Sequence, residues 1–184
     1  MAQQNPISVD FVGAGRPGPR TLAERQTADS SLRWIPDQAR LLASAEADRC
    51  ESWSLAEVCD HLASAFDSTV RGHGGEGPPR RWKALSRIER AKRWCTKQFM
   101  LATGWFPRGV PAPASVTPSS SVLLDDALAR LEDATAAFDR KCASPDSTWG
   151  YHILLGKMSA RAWRRFHAIH AAHYFSFFKP DDAV

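Results

Sequence analysis

The chain contains no uninterrupted apolar run of the length a membrane span needs, about 18 residues, so no transmembrane helix is expected. Its first residues lack a basic stretch followed by an apolar one, so no secretory leader is expected either. No two cysteines form a C-x-x-C pair, because Cys50, Cys59, Cys95 and Cys142 stand far apart. That spacing argues against a disulfide framework and against a zinc knuckle, and it fits reduced thiols in a cytoplasmic protein. Convincing period-two alternation is missing as well, which removes the signature of half-buried strands.

What is present is enough apolar material for one core: 43% of 184 residues are hydrophobic. Residues 1–20, rich in Gln, Gly and Pro, read as a disordered tail, and residues 21–180 as a single domain. Helical periodicity recurs throughout. A first helix is expected from Pro36 to Asp48, with Leu41, Leu42 and Ala45 inward. Ser54-Leu-Ala-Glu57 is a capping box that opens a second helix, whose stripe is Leu55, Val58, Cys59, Leu62, Phe66 and Val70. It stops at the glycine- and proline-rich stretch 72–79. A basic third helix is expected from Trp82 to Leu101, with Trp82, Leu85, Trp94, Cys95 and Phe99 supplying apolar contacts. A proline-rich crossover, 104–118, then leads to a helix from Ser121 to Arg140. The last helix begins after the N-cap Ser159 and runs to Phe178. Several amphipathic helices with one long crossover predict an all-α helical bundle.

Charge is unevenly spread. Residues 80–97 hold eight basic side chains and one acid, a local +7 within a chain of net +4. Such a segment can meet phosphates, anionic lipid or an acidic partner, although a solvated helix face is the simpler explanation. Trp82 and Trp94 within it could stack on bases, but at helical spacing they read more readily as core anchors.

Half of the six histidines, His167, His170 and His173, fall within seven residues of the last helix. At about 100° per residue, His170 projects onto the middle of the apolar stripe. His173 and Tyr174 flank it one turn on, and His167 sits to one side. Polar groups at i and i+3 or i+4 can converge on one metal or substrate. A buried histidine bonded to a carbonyl or a tyrosine would give the same pattern. His61 projects well away from the second helix's stripe and could lie on the surface. His73 is weakly informative in its glycine loop, and His152 precedes Gly156 in a loop.

Three blocks carry a resemblance. Trp53-Ser-Leu-Ala-Glu-Val-Cys-Asp-His-Leu62 resembles the W-S…H-L segment of the DinB/YfiT-like superfamily. Phe106-Pro-Arg-Gly-Val-Pro-Ala-Pro113 is similar to the crossover of one of its uncharacterised branches, a domain of unknown function. His152-Ile-Leu-Leu-Gly-Lys-Met-Ser-Ala-Arg-Ala-Trp163 with His170-Ala-Ala-His-Tyr174 resembles that branch's H-P-x-F-G … W … H-x-x-H-H ending, and Arg20-Thr-Leu22 is similar to its start. The resemblance implies a DinB-like four-helix bundle, here with an extra basic helix and the long crossover, often a homodimer, with a divalent metal in a cleft.

It further implies metal ligands at His61 and His170, with the third ligand position falling on Tyr174 where the family has histidine. Three arrangements follow. Tyr174 coordinates the metal; or His173 swings in beside His170; or the metal is lost and Tyr174 serves as a hydrogen-bond or proton donor. With zinc or nickel bound, the implied activity is that of a metal-dependent hydrolase or thiol S-transferase acting on a small molecule, with Tyr174, His173 and His152 handling protons. The alternative is a metal-free bundle that binds a small ligand. Nucleic-acid or acidic-partner binding through residues 80–97 is a third expectation, ranked last, and no membrane partner is expected.

Overall fold

The computed structural model describes residues 31–45, 53–72, 80–107, 112–119, 121–152 and 154–178. The N-terminal stretch, Asp48, His73 and Arg108 therefore lie outside the described residues. The protein is an all-α bundle, as its periodicity predicts. In chain order, α1 spans Trp34–Ser44, α2 Leu55–Arg71, α3 Arg80–Lys83, α4 Arg87–Thr103, α5 Leu124–Ala143 and α6 Ala160–Phe175. A 3₁₀ turn, Ala114–Val116, lies in the crossover. A minimal antiparallel hairpin, β1 Tyr151–His152 with β2 Gly156–Lys157, precedes α6.

Helices α2 and α5 form the broadest contact, and α1 and α6 close the core around them. The core is where their apolar stripes meet: Ile35 and Ala39 from α1, Leu62 and Phe66 from α2, Leu131 and Phe138 from α5, and Trp163 and Phe166 from α6. Phe66 and Phe138 meet edge to face with centroids 5.5 Å apart. The Ser54 capping box forms as expected. Ser54 Oγ accepts from the Glu57 amide at 3.3 Å, and the Glu57 carboxylate accepts from the Ser54 amide at 2.7 Å.

Three expectations need correction. Helix α1 begins at Trp34, with Pro36 inside its first turn, and Leu41 and Ala45 face outward while Leu42 is buried. The basic helix is broken in two, because Ser86-Arg-Ile-Glu89 is a second capping box that starts α4 afresh. Finally, Trp94 and Phe99 are 57% and 55% exposed and Cys95 is exposed, so they are not core contacts.

The hairpin is held by Trp82. Gly156 has φ +78°, and an added Cβ would lie 2.8 Å from the Trp82 ring, so only glycine fits there. From α4, Arg93 donates to the Leu154 carbonyl and Lys97 to the Lys157 carbonyl, at 3.3 and 3.1 Å.

Candidate functional site

His61 and His170 meet between α2 and α6. Their Nε2 atoms are 3.2 Å apart, with ring planes at 79°. His61 is only 3% exposed, although it projects away from its own helix's apolar stripe. The crossover explains the difference: the 3₁₀ turn lies over His61, and His61 Nδ1–H donates to the Val116 carbonyl at 2.6 Å. A carbonyl oxygen can only accept, so Nδ1 carries the proton and Nε2 presents its lone pair to His170. Burial lowers the His61 pKa, partly offset by the Val116 carbonyl and by Asp60. Burial, and then the neighbouring imidazoles, hold His170 well below the ordinary value. Both rings are therefore neutral near pH 7.

Tyr174, one turn beyond His170, completes the cluster. Its ring centroid is 4.9 Å from His61 and 5.1 Å from His170, and it stacks on Trp53 at 5.7 Å. Burial raises its pKa. Phe106, in the crossover, stacks on His170 at 5.0 Å and touches His173 at 4.8 Å. The structure thus brings together His61, His170 and Tyr174, with half-buried His173 against Phe106, Tyr174 and Phe177.

His167 and His152 are placed differently. His167 is buried in the core, stacked on Phe66 at 4.1 Å, with Nε2 3.1 Å from Thr69 Oγ1. The Thr69 hydroxyl already donates to the Ala65 carbonyl, so His167 Nε2 is the donor in that pair. Its pKa is pushed down to about 3, by burial and then by His152. His152 lies in β1, where Nδ1 accepts from the Leu154 and Leu155 amides, each at 3.1 Å. Its Nε2 therefore carries the proton, and its ring edge meets Phe166 at 4.7 Å.

The wall behind His61 is polar. Arg130 of α5 pairs with Asp60 and Asp67 of α2 and donates to Ser64 at 3.0 Å. The Ser119 amide donates to Asp60 at 3.4 Å, so residues 60 and 61 both grip the crossover. Cys59, two residues from His61, is no nucleophile: burial and then Asp60 push its thiol up to about 12.

Sequence reasoning did not reach Val116, Phe106 or the Asp60–Arg130 pair as parts of the site. Val116 acts through its backbone carbonyl, which leaves no mark on residue type. The Asp60–Arg130 pair joins helices whose relative rotation periodicity leaves open. The Phe106-Pro dipeptide was a signal, since an aromatic heading a rigid loop beside a histidine helix is a natural wall.

A helical bundle that buries a facing imidazole pair beneath a proline-rich crossover is the class this geometry defines. The model of the family described as proteins of unknown function, DUF1569, matches residues 25–181. The chain belongs to that family. No curated protein and no solved structure matches it. No helix among the described residues is long and apolar enough to cross a membrane.

Proposed function

We propose that His61, His170 and Tyr174 form a divalent-metal site, for zinc or nickel, and that the protein is a DinB-like hydrolase or thiol S-transferase acting on a small molecule. One observation carries this reading. The two Nε2 atoms face each other at 3.2 Å, and His61 Nε2 is bare because Nδ1 is committed to Val116. Two imidazoles on one tetrahedral zinc sit about 3.3 Å apart, given Zn–N bonds of about 2.05 Å. Metal-binding histidines characteristically donate their other N–H to a carbonyl, as His61 does.

Bound there, a divalent ion would supply Lewis acidity and lower the pKa of a coordinated water or thiol. The protein's own groups divide the remaining work. Phe106, Trp53 and Phe166 exclude water. Tyr174 is a ligand or a proton donor, and half-buried His173 is the group best placed to pass a proton towards solvent. His152, whose Nδ1 accepts two amides, can only donate through Nε2 and serves mainly to shape the hairpin. Reduced Cys59, Cys95 and Cys142 fit a cytoplasmic setting.

A metal-free small-ligand site is the second reading. It is favoured by the donor set: among the described residues no group of three His, Cys, Asp or Glu side chains could hold an ion. The His61–His170 contact is then an N–H···N hydrogen bond, with the proton on His170 Nε2. Nucleic-acid binding through residues 80–97 is weakened by Arg93 and Lys97, whose charged ends are tied to hairpin carbonyls. Zinc titration of the full chain, followed by calorimetry and by elemental analysis, separates the first two readings.

A further inference from the structure

The approach to α1, the end of α5 and the start of α6 bound a cleft of about 350 Å³, lined by Ser31, Arg33, Asp139, Cys142 and Arg164. Small-molecule sites run from roughly 300 to 1,000 Å³, so the cleft suits a small ligand. It is separate from the imidazole pair: Arg164 precedes His170 by about 9 Å along α6, and no residue of the His61–His170–Tyr174 cluster lines the cleft. Ser31 Oγ donates to one oxygen of Asp139 at 3.3 Å, while the other, Oδ1, is buried with no partner. Arg164 Nε is buried with no partner as well. Among the described residues neither Arg33 nor Arg164 is ion-paired. Buried polar groups are nearly always satisfied, so an acceptor and a donor left over on the walls of one cleft call for a molecule that bonds both.

The charges on the walls define that molecule. Two guanidiniums and one carboxylate leave the cleft with a net single positive charge. Cys142 adds none, because burial raises its thiol pKa and the Arg164 guanidinium offsets this only in part. Arg164 and Asp139 both lie within electrostatic reach of that thiol, so their charges share one end of the cleft. Guanidinium forks match carboxylates in shape and charge. A carboxylate wall group needs the reverse, a cationic donor. A ligand with two carboxylates and one ammonium answers all three groups, and its net single negative charge balances the cleft. We propose that this cleft binds an acidic amino acid, its carboxylates on Arg33 and Arg164 and its ammonium on Asp139 Oδ1.

NMR titration of the full chain tests this, with L-glutamate and glutarate as probes. Glutarate carries the same two carboxylates but no ammonium. L-Glutamate should shift the amides of Cys142 and Ala143 saturably, and glutarate should bind about tenfold more weakly, the scale of one charge-assisted hydrogen bond. Arg33→Gln and Arg164→Met should each weaken L-glutamate about tenfold. Arg33 is exposed, so its variant keeps the fold and carries the test should Arg164→Met lose stability. Asp139→Asn should bring L-glutamate and glutarate to equal affinity, a change in preference that a merely structural Asp139 would not produce. No saturable shift at Cys142 and Ala143 overturns the proposal. So does equal binding of the two probes by the wild type, or wild-type affinity for L-glutamate in Arg33→Gln.

Discussion

His61 Nε2 and His170 Nε2 face each other at 3.2 Å across two helices, 109 positions apart in sequence. The Val116 carbonyl, bonded to the other nitrogen of His61, makes that contact directional. Everything proposed about the site follows from that alignment.

Replacing His61 with alanine removes a donor of the proposed metal site and strands the buried Val116 carbonyl. The H61A variant should lose bound zinc entirely and unfold about 1–3 kcal/mol more easily, the cost of an unpaired buried polar group. Calorimetric zinc titration and urea denaturation measure the two effects separately. Retained zinc affinity would place the ion elsewhere.

In the proposed metal site Tyr174 stands at the third ligand position. Phenol coordinates only after losing its proton, and burial raises its pKa, whereas imidazole binds while neutral. Tyr174→His should therefore tighten zinc binding by about tenfold or more, the scale on which a ligand change acts. Equal affinities in the two proteins would show that residue 174 does not reach the ion.

His167 gives the fold a pH dependence. Its pKa falls from 6.5 to about 3 on folding, so below pH 6.5 the unfolded chain binds the extra proton and the folded one does not. Its contribution is fully present above pH 6.5 and is lost as pH falls towards 3. His61 and His170, also lowered, act in the same direction. Urea midpoints between pH 4 and 7 should rise with pH, and more shallowly in His167→Phe. An unchanged slope in that variant would mean His167 is not held neutral.

The hairpin depends on Gly156. Gly156→Ala combines a positive φ with a clash against the Trp82 ring and should cost about 1–3 kcal/mol. A thermal melt reads this directly, and a neutral effect would mean that Trp82 swings away freely.

Much of the fold was legible in the sequence because its signals are local. The Ser54–Glu57 box and the α2 stripe depend on residues within a few turns, and they appear where periodicity puts them. The break before α4 was equally legible in Ser86-Arg-Ile-Glu89, but the run of basic residues and tryptophans masks it. Trp94 and Phe99 were misleading because residue type says apolar without saying whose core. His61 shows the opposite limit. Its helix turns it away from the α2 stripe, and only a loop 55 positions on buries it. The pairing of His61 with His170 and Tyr174 was accessible through the family resemblance, whereas periodicity could place only His170 and Tyr174 together.

The most direct test is the metal content of the full chain after zinc loading and gel filtration, measured by elemental analysis beside H61A and His170→Ala. One zinc per wild-type chain, falling to background in both variants, is the predicted result. A wild type that folds normally and retains no stoichiometric zinc or nickel would contradict the metal site and leave the hydrogen-bonded imidazole pair in its place.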